Sequence, residues 1–411
     1  MEKPLDEIAG KLGDELSGRK IVHCITGSIS AYRAPDIARL LIRHGAEVIA
    51  VMSEDAQKII HKNVMEWATG HAPVTELTGR IEHVALTSGS NKADLILVAP
   101  ATANTIGKIA SGIDDTPVTS VVSSALGAKI PILVAPAMHE TMIQHPIIND
   151  NIRRLTENGT VFIPPKREEG KAKLAEDETI LEYIIHTLTK KDMIGMKVLV
   201  TGGPTVERID PIRFITNRSS GKTGVAFAKE ASARGAEVTL VTGPTEERIE
   251  EWIEKVDVET AEEMFGAVSS KLKERRYDMV IATAAVSDYA PAGVSQNKLR
   301  SEEKERITLE LIRTPKIIDK VKELSDVFLI IFKAEHNISR EELIQRGIER
   351  MKEAKADMAV LNDVSKIGFG SEENEVIIVN RNGDIRQLPR MSKRAIARTV
   401  LDEALKALSS S

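Results

Sequence analysis

Two segments of the chain read as a β-strand that runs into a glycine-containing loop and then a helix, and this repeated unit constrains the fold most. The first loop is Gly27-Ser-Ile-Ser30 and the second is Gly202-Gly-Pro-Thr205. Each of the helices that follow ends at a nearly identical sequence, which is His44-Gly-Ala-Glu-Val48 in the first unit and Arg234-Gly-Ala-Glu-Val238 in the second. Free N–H groups and the dipole at a helix N-terminus attract anions. The repeat therefore predicts two phosphate-binding sites, and two enzymes on one polypeptide.

The bulk composition bounds the class of protein. A chain of 411 residues exceeds the usual size of one hydrophobic core, so two domains are expected. A formal charge of −5 gives no reason to expect nucleic acid as a partner, and the apolar stretches are too short to cross a membrane. Residues 1–19 lack the apolar core of a signal peptide and predict a short surface helix. The single Cys24 excludes intrachain disulfides and a cysteine-cluster metal site, and it fits a reducing, cytoplasmic location.

Strand and helix signals alternate along both halves, which is typical of parallel sheets with helical crossovers. The first half predicts strands at 20–26, 47–52, 94–99 and 131–135, and helices at about 30–43, 102–111, 115–127 and 177–189. The second half predicts strands at 197–201, 236–241, 278–283, 327–332 and 357–361, helices at about 221–233, 261–275 and 340–354, and a hairpin over 375–389. The predicted fold class is α/β, with two doubly wound Rossmann-like domains over 1–190 and 191–411. Two charged segments, 164–176 and 290–312, are predicted to be flaps, the first too charged to pack and the second ending in a strand at 307–312.

Polar residues follow several predicted strands of the first half, at the edge where open α/β sheets bind ligands. The loop from Gly27 to Ser30 suits a phosphate, although an ordinary helix cap fits the same residues. Ser53, Thr102 and Asn104, and the stretch Val134-Ala-Pro-Ala-Met-His-Glu-Thr-Met142, follow later strands. Together they predict a flat, partly apolar ligand that lies across these strand ends. His83 is a candidate proton carrier near pH 7, although a lone histidine is more often structural.

The first half resembles the flavin-dependent cysteine decarboxylases, in particular the phosphopantothenoylcysteine decarboxylases. The motifs that carry the resemblance are Gly27-Ser-Ile-Ser-Ala-Tyr32, His83-Val-Ala-Leu86, Pro100-Ala-Thr-Ala-Asn-Thr105 and Pro136-Ala-Met-His-Glu-Thr-Met142. The resemblance implies a cysteine decarboxylase fold, bound FMN, trimeric contacts with each flavin at a subunit junction, and an essential His83. It also implies contacts to the cofactor by Gly27, Ser28, Ser30, Ser53, Thr102, Asn104 and Met138, with the serines near the phosphate.

Two positions of the first half depart from that family. The family carries Asn where this chain has His139, and that Asn binds the substrate carboxylate through a hydrogen bond. An imidazole N–H can also donate a hydrogen bond to a carboxylate. The family's flap carries a Cys that protonates the ene-thiol, and the matching segment Gly170-Lys-Ala-Lys-Leu-Ala-Glu176 has none. Lys171, Lys173 or water is expected to replace that proton donor. Without that cysteine, the first half could also be a regulatory domain that binds flavin but has lost catalysis. The retained His83 favours an enzyme instead.

The second half holds a polar cluster, Ile209-Asp-Pro-Ile-Arg-Phe-Ile-Thr-Asn-Arg-Ser-Ser-Gly-Lys-Thr-Gly224, in front of a predicted helix. A Walker phosphate loop needs a glycine where Thr216 stands, so that class of NTPase is a poor interpretation. Neither opening loop has the glycine pattern of a Rossmann dehydrogenase. Ser219, Ser220 and Gly221 are nonetheless predicted to cradle phosphates through backbone amides. Arg213 and Asn217 precede them as candidate contacts to a reacting acyl phosphate.

This half resembles the phosphopantothenate–cysteine ligases, which are commonly fused to the decarboxylase. The match continues through Ala284-Ala-Val-Ser-Asp-Tyr-Ala-Pro291, Lys298-Leu-Arg-Ser301, Phe332-Lys-Ala-Glu335, Asn362-Asp-Val-Ser365 and Phe369-Gly-Ser371. The resemblance implies that Asn217 stabilises an acyl-cytidylate, Arg213 holds the pantothenate arm and Lys298 meets the triphosphate. It places the nucleotide against Ala282, Thr283, Ala284, Asp288, Phe332, Arg346 and Arg350. Activation of a carboxylate by CTP also needs Mg²⁺, for which Asp210 and Asp288 are candidates, although such residues more often serve as loop solubilisers or hydrogen-bond acceptors.

The ligase half also departs from its family. Family members carry Lys at the positions of Arg346 and Arg350, Lys-x-Lys-Lys where this chain has Lys298-Leu-Arg-Ser301, and Pro-Asp where it has Pro315-Lys316. CTP or ATP therefore stays open as the nucleotide. The expected partners are small molecules, namely phosphopantothenate, cysteine and CTP, without nucleic acid or membrane. A homo-oligomer with trimeric contacts in the first half and dimeric contacts in the second is also expected.

Overall fold

The chain divides into two units between Thr189 and Lys190. The structure, a computed structural model, describes residues 7–168, 170–300, 306–365, 367–368 and 370–409. Ser301 and Phe369, which belong to two of the ligase-like motifs, and Glu169 of the first charged segment lie outside the described residues. In the described part of the chain, no helix is long and apolar enough to span a membrane.

Unit 1 is built on a parallel sheet of five strands in the order β2-β1-β3-β4-β6. Its strands are Lys20–Ile25 (β1), Glu47–Met52 (β2), Leu95–Ala101 (β3), Ile132–Pro136 (β4), Met138–His139 (β5), Val161–Phe162 (β6), Lys166–Glu168 (β7) and Lys171–Lys173 (β8). Its helices are Ala34–Arg43 (α1), Glu54–Gln57 (α2), Lys62–Thr69 (α3), Glu82–Thr87 (α4), Ala103–Ser111 (α5), Pro117–Gly127 (α6), Glu140–Ile143 (α7), Pro146–Glu157 (α8) and Asp177–Leu188 (α9), and Ile29–Arg33 forms a 3₁₀ helix.

The sheet of unit 1 is covered on both faces. Val22 and Cys24 of β1 pack with the apolar sides of α5, α6 and α8 in one core cluster. Side chains alternate along a strand, so the buried Ile21 and Ile25 face the other side, where α1 packs against α3 and α9. Strand β1 has β2 on one side and β3 on the other. The crevice at their carboxyl ends is therefore the switch point where such sheets bind ligands.

Unit 2 contains a sheet of eight strands in the order β13-β12-β9-β14-β17-β18-β19-β20, parallel up to β18 and antiparallel beyond it. Its strands are Lys197–Gly202 (β9), Val206–Arg208 (β10), Phe214–Thr216 (β11), Glu237–Thr242 (β12), Glu254–Asp257 (β13), Met279–Ala282 (β14), Tyr289–Pro291 (β15), Leu311–Arg313 (β16), Phe328–Glu335 (β17), Met358–Asp363 (β18), Glu373–Asn380 (β19) and Ile385–Ser392 (β20). Its helices are Lys222–Ala233 (α10), Ala261–Glu274 (α11), Ile317–Leu324 (α12), Arg340–Glu353 (α13) and Lys393–Ser409 (α14). Helices α10 and α14 cover one face, and α11, α12 and α13 cover the other.

The predicted α/β class with two doubly wound sheets is confirmed, and two local predictions are wrong. Residues 7–19 form turns rather than a surface helix, and Leu16 there is fully buried. The described part of 164–176 does pack: β7 and β8 form a hairpin whose Ala172 is buried. Both segments contain an apolar side chain that is buried although its sequence neighbours are charged, namely Leu16 and Ala172.

Candidate ligand sites at the two sheet edges

Four loops of unit 1 meet at the carboxyl edge of its sheet. The amide of Ser53 donates to Ile25 O at 3.0 Å, which ties the end of β2 to that of β1. Thr26 Oγ1 donates to Pro100 O at 2.7 Å and accepts from the amide of Thr102 at 3.1 Å, which ties β1 to β3. Ser28 Oγ donates to Ala137 O at 3.3 Å and so reaches the loop after β4. The structure thus brings most of the residues expected near a flavin to one crevice.

The polar side chains at this edge differ in what they already bind. Ser53 caps α2 by accepting from the amide of Ala56, and Thr102 caps α5 by accepting from the amide of Thr105. Ser28 begins the 3₁₀ helix without a side-chain cap, so the amides at that helix start have no side-chain acceptor of this kind. A side chain at Gly27 would place its Cβ only 2.4 Å from Asp55 Cβ, so only glycine allows this approach of two loops. Ser30 is half-buried and Asn104 is exposed beside them.

Met138 and His139 form the short strand β5, which pairs with the hairpin of β7 and β8. His139 Nδ1 accepts from the amide of Thr141 at 3.4 Å, so in the neutral ring the proton is on Nε2. Lys171 is the register partner of His139, and directly opposed residues of an antiparallel pair leave the sheet on the same face. Lys173 instead pairs with Glu168 at 3.1 Å. An imidazole N–H and an ammonium group therefore share this side of the flap.

His83 lies in the first turn of α4. Helix α4 packs against α6, and Thr87 joins Ser124 there through hydroxyl oxygens 2.6 Å apart. His83 Nδ1 is buried, and no described group within hydrogen-bond distance satisfies it. A buried ring nitrogen without a partner costs free energy unless something else binds it.

Two further groups of β1 are excluded from proton transfer by burial. The thiol of Cys24 is buried, and burial raises its pKa far above the usual range. Burial also lowers the pKa of His23 to about 4, although a hydrogen bond from its ring to Ala99 O opposes the shift. Neither group exchanges protons readily near pH 7.

Unit 2 carries two cavities at the carboxyl edge of its sheet. The asparagine cavity has a volume of about 420 Å³ and contains Asn217, Ala282, Thr283, Ala284 and Asp288 in its wall. The lysine cavity has a volume of about 150 Å³ and contains Ser219, Ser220, Gly221, Lys222 and Lys393 in its wall. They share wall residues, namely Arg218, Thr283, Ala285, Phe332 and Ala334, so the two spaces adjoin.

Glycines let helix α10 start against the end of β9. A Cβ at Gly224 would lie 2.7 Å from Gly202 Cα and 2.9 Å from Thr283 Oγ1. Gly221 precedes the helix with φ +80° and provides no side-chain cap. The first amides of α10 therefore lack a side-chain cap and border the lysine cavity, the arrangement that binds anions in other folds.

Asn217 is oriented by backbone carbonyls at the rim of the asparagine cavity. Its Nδ2 donates to Ala285 O at 3.2 Å and to Val286 O at 3.1 Å. Both amide hydrogens are thus engaged, and Oδ1 is the atom with which Asn217 can accept a hydrogen bond from a ligand. Phe332 and Arg350 also lie in this cavity, and Arg350 pairs with Asp319.

Three expected contacts lie outside the walls of both cavities. Arg213 pairs with Asp210 at 2.8 Å and donates to Leu299 O at 2.8 Å. This contact anchors the segment of the exposed Lys298 to the β10–β11 hairpin. Burial alone would raise the pKa of Asp210, but the amides of Arg213, Ile212 and Leu299 hold it down to about 2. Arg346 is exposed on α13 and pairs with Glu335 and Glu342.

Asp288 is the candidate ligand for a metal ion in unit 2. It pairs with Lys316 at 2.6 Å. Among the described residues, no group of three His, Cys, Asp or Glu side chains could hold a metal ion. A cation at Asp288 would therefore depend on ligands brought by a substrate.

Lys393 is the functional candidate that the sequence did not reveal. It begins α14, far along the chain from the polar cluster, and no motif surrounds it. Burial and the charge of Lys222 lower its pKa, against the raising effect of Glu372 and Glu247. Only the packing of α14 against α10 reveals that the two lysines are close.

Both units match known families. The flavoprotein family matches residues 10–189, and the family of the DNA/pantothenate metabolism flavoprotein C-terminal domain matches residues 193–408. The chain is 53% identical over 397 residues to the coenzyme A biosynthesis bifunctional protein CoaBC of Thermococcus kodakarensis, covering 96% of each chain. It is 36% identical to the protein of the same description from Methanocaldococcus jannaschii, over 99% of this chain and 98% of that one. A crystal structure of the C-terminal domain of such a protein aligns with 54% of this chain and all of its own length, at 34% identity and a TM-score of 0.46.

Proposed function

Because the chain belongs to the family of bifunctional coenzyme A biosynthesis proteins, we propose which unit performs which reaction and with which residues. Unit 2 joins 4′-phosphopantothenate to cysteine, and unit 1 then decarboxylates the phosphopantothenoylcysteine to 4′-phosphopantetheine. The observation that carries the proposal is that each unit matches one half of this family and has its polar loops at the carboxyl edge of a parallel sheet.

The asparagine cavity of unit 2 is the proposed nucleotide site. Its volume of about 420 Å³ lies in the range of small-molecule pockets. Phe332 and the stretch from Ala282 to Ala284 offer apolar surface and backbone groups to a base and ribose. A carboxylate is a poor acyl donor until a nucleotide is attached to it, so CTP would activate phosphopantothenate as an acyl-cytidylate and release pyrophosphate. Arg350 and Lys316 in the same wall suit the charge that develops on phosphate oxygens.

Asn217 is the proposed positioning group for the second half of the ligation. Its two amide hydrogens are held by carbonyls, so Oδ1 faces a ligand as an acceptor. An acceptor at this point can hold an N–H of the cysteine amine, so that the nitrogen lone pair is directed at the activated carbonyl. In the bound state Arg213 and Lys298 would contact the pantothenate arm and the triphosphate, respectively, once their segment closes over the cavity.

We propose that Mg²⁺ enters the site bound to the phosphates of the nucleotide substrate. Magnesium in phosphoryl and nucleotidyl transfer is commonly held by one or two carboxylates together with substrate phosphates. Asp288 supplies one carboxylate in the wall of the asparagine cavity, and its partner Lys316 is exposed enough to move away. Removal of divalent cations with EDTA should therefore stop pyrophosphate release and leave decarboxylation unchanged.

Unit 1 is proposed to bind FMN at the crevice of β1 and β3. The uncapped amides after Ser28, with Gly27 and Ser53 beside them, suit the phosphate, and Thr102, Asn104 and Met138 would border the ring system. When bound, FMN supplies the oxidation of the thiol-bearing carbon, which creates an electron sink β to the carboxylate, and later returns the electrons. The chain's residues bind the substrate, exclude water and move protons.

Three side chains have proposed roles in the decarboxylation. His139 Nε2–H would donate to the substrate carboxylate before CO₂ leaves. Lys171, opposite His139 in the β5–β8 pair, would provide the last proton in place of a thiol, since the only cysteine of the chain is buried. His83, whose Nδ1 has no described partner, would act in the oxidative step.

A homo-oligomer is proposed from the placement of His83 and from exposed apolar side chains. His83 Nδ1 has no hydrogen-bond partner among the described residues, as expected if trimeric contacts complete each site. In unit 2 the two small ribbons expose several large apolar side chains, a pattern that fits a dimeric contact; they are Ile212, Phe214, Tyr289, Leu311 and Ile312. The single cysteine fits a reducing compartment, for which we propose the cytoplasm.

The purified chain, incubated with 4′-phosphopantothenate, cysteine and each nucleoside triphosphate in turn, tests the ligase assignment. Pyrophosphate release is expected with CTP and Mg²⁺, and it should depend on both acid and nucleotide. Absence of pyrophosphate with every nucleotide would refute the assignment. The flavin absorbance of the same preparation tests unit 1 separately.

A further inference from the structure

His23 is a polar residue in the interior of unit 1 to which the proposed decarboxylation assigns no role. It lies in β1, and its side chain is fully buried. Its Nε2 lies 2.7 Å from Ala99 O, and its Nδ1 is buried without a hydrogen-bond partner among the described residues. Because a carbonyl oxygen can only accept, the ring proton is on Nε2 and His23 is the donor. Burial lowers the pKa of His23 to about 4, so the ring stays neutral near pH 7.

A histidine at this position costs free energy that an apolar residue would not. A ring nitrogen that is buried without a partner is destabilising, whereas its neighbours in β1, Ile21, Val22 and Ile25, are apolar and equally buried. A buried polar group that breaks the pattern of its own strand calls for an explanation, and functional sites are where such exceptions are expected. The hydrogen bond to Ala99 O is the contact by which His23 can offset this cost.

Ala99 lies where β3 leaves the regular pairing of the sheet. The pairing of β1 with β3 ends at Val98, and the register of β3 with β4 shifts between Val98 and Ala101. The next residue, Pro100, has no N–H to donate. A side-chain donor is therefore needed at the point where the strand ladders stop, and His23 provides it from the middle of β1.

The stretch that His23 holds continues directly into residues proposed to border the flavin. Thr26 Oγ1 donates to Pro100 O at 2.7 Å and accepts from the amide of Thr102 at 3.1 Å. Thr102 in turn caps α5, whose second residue is Asn104. His23 and Thr26 thus bind two successive carbonyls at the end of β3, and the place of the following turn depends on both.

Resting on the flavin site proposed for unit 1, we infer that His23 is a positioning residue of that site. Its hydrogen bond to Ala99 O fixes the turn from β3 into α5, and thereby the groups that border the ring system of FMN. His23 acts through this turn and not by contact with the reacting atoms. An apolar residue at position 23 would leave the carbonyl without this donor, so the turn would be free to move. FMN would then bind more weakly, and the surroundings of its rings would change.

FMN binding by His23 variants tests this inference. In His23→Leu, which keeps a similar volume and removes the donor, the Kd of FMN should rise roughly 5- to 50-fold, the range of one buried hydrogen bond. The visible circular dichroism of the bound flavin should change as well. His23→Gln can place an amide N–H near the position of Nε2 and should return the Kd to within about threefold of the wild-type value. His23→Asn is polar but too short to reach Ala99 O, and it should resemble His23→Leu.

Hydrogen exchange of the FMN-free chain tests the turn without the cofactor. Amides of residues 101–106 should exchange faster in His23→Leu and His23→Asn than in the wild type and in His23→Gln. Ile21→Val is the matched control, because Ile21 is fully buried two residues earlier in β1 and its side chain leaves the strand on the same face as His23. It should lower the Tm slightly and leave both the exchange of 101–106 and the Kd of FMN unchanged.

Equal Kd values for the wild type and a folded His23→Leu variant, or equal exchange of residues 101–106, would overturn the inference. An equal rise of the Kd in Ile21→Val would also overturn it, because any weakening of β1 would then suffice. If His23→Leu does not fold, the comparison of His23→Gln with His23→Asn decides in the same way. A wild type that binds no FMN but shows the expected exchange pattern would refute the proposed function of unit 1 and support the hold of His23 on the turn.

Discussion

The contact between α10 and β9 makes a quantitative prediction for Gly224→Ala. The added methyl group would lie 2.7 Å from Gly202 Cα and 2.9 Å from Thr283 Oγ1, and real Cβ contacts below 3.0 Å essentially do not occur. The obstacle is backbone, so the start of α10 has to move. Overpacking of this kind costs about 1–3 kcal/mol, and the better helix propensity of alanine returns less than about 1 kcal/mol so near the helix start. A net loss of about 1–2 kcal/mol is expected.

Thermal unfolding and ligase kinetics measure this effect. For a unit of this size, the loss corresponds to a Tm lowered by about 2–8 °C. Because α10 begins at the lysine cavity, at least one KM of the ligase reaction should rise as well. Gly266→Ala is the matched control: a methyl group there meets nothing within 4 Å in the middle of α11, so it should raise stability by about 0.5–1 kcal/mol. If both variants raise the Tm and neither changes KM, the close packing of α10 on β9 is wrong.

Three other perturbations have defined outcomes. Lys171→Met should leave CO₂ release intact but yield a product two hydrogens lighter by mass spectrometry; a normal product would exclude Lys171 as the proton donor. His139→Asn should retain decarboxylation and His139→Leu should lose at least about 100-fold, measured as CO₂, because only the first keeps an N–H donor; equal activities would contradict a carboxylate contact. The folded-state pKa of Asp210 is lowered to about 2, so its contribution to stability is complete above the unfolded value of about 4 and lost as pH falls toward 2. The difference in unfolding free energy between wild type and Asp210→Asn should therefore shrink from pH 5 to pH 2. A constant difference would refute the lowered pKa of Asp210.

The sequence predicts the main sheets because their strands are buried on both faces and read as continuous apolar runs. Thus β3 and β14 stand out among charged neighbours, and the Asn380–Asp384 turn marks the hairpin of β19 and β20. The short two- and three-stranded sheets have no such apolar run in the sequence. The β5–β8 pair depends on contact between Met138 and Ala172, which are far apart in sequence, so their composition indicates only a charged loop.

The candidate sites were predictable where function resides in contiguous motifs. The loop from Ser219 to Gly221 borders a cavity because a strand, a tight loop and a helix start follow one another locally. Lys393 was not predictable, since its place in that cavity comes from the packing of α14 against α10. Arg346 shows the opposite case: its motif position suggests the nucleotide, whereas its side chain pairs with Glu335 and Glu342 outside the cavity wall.

The central claim is that the chain performs both reactions in succession. It is tested most directly by following pyrophosphate and CO₂ together in one vessel that contains the flavin-loaded chain, 4′-phosphopantothenate, cysteine, CTP and Mg²⁺. One CO₂ should appear for each pyrophosphate, after a lag in which phosphopantothenoylcysteine accumulates. Pyrophosphate without CO₂, with synthetic phosphopantothenoylcysteine also left intact, would contradict the claim for unit 1, and no release of either would contradict it for both units.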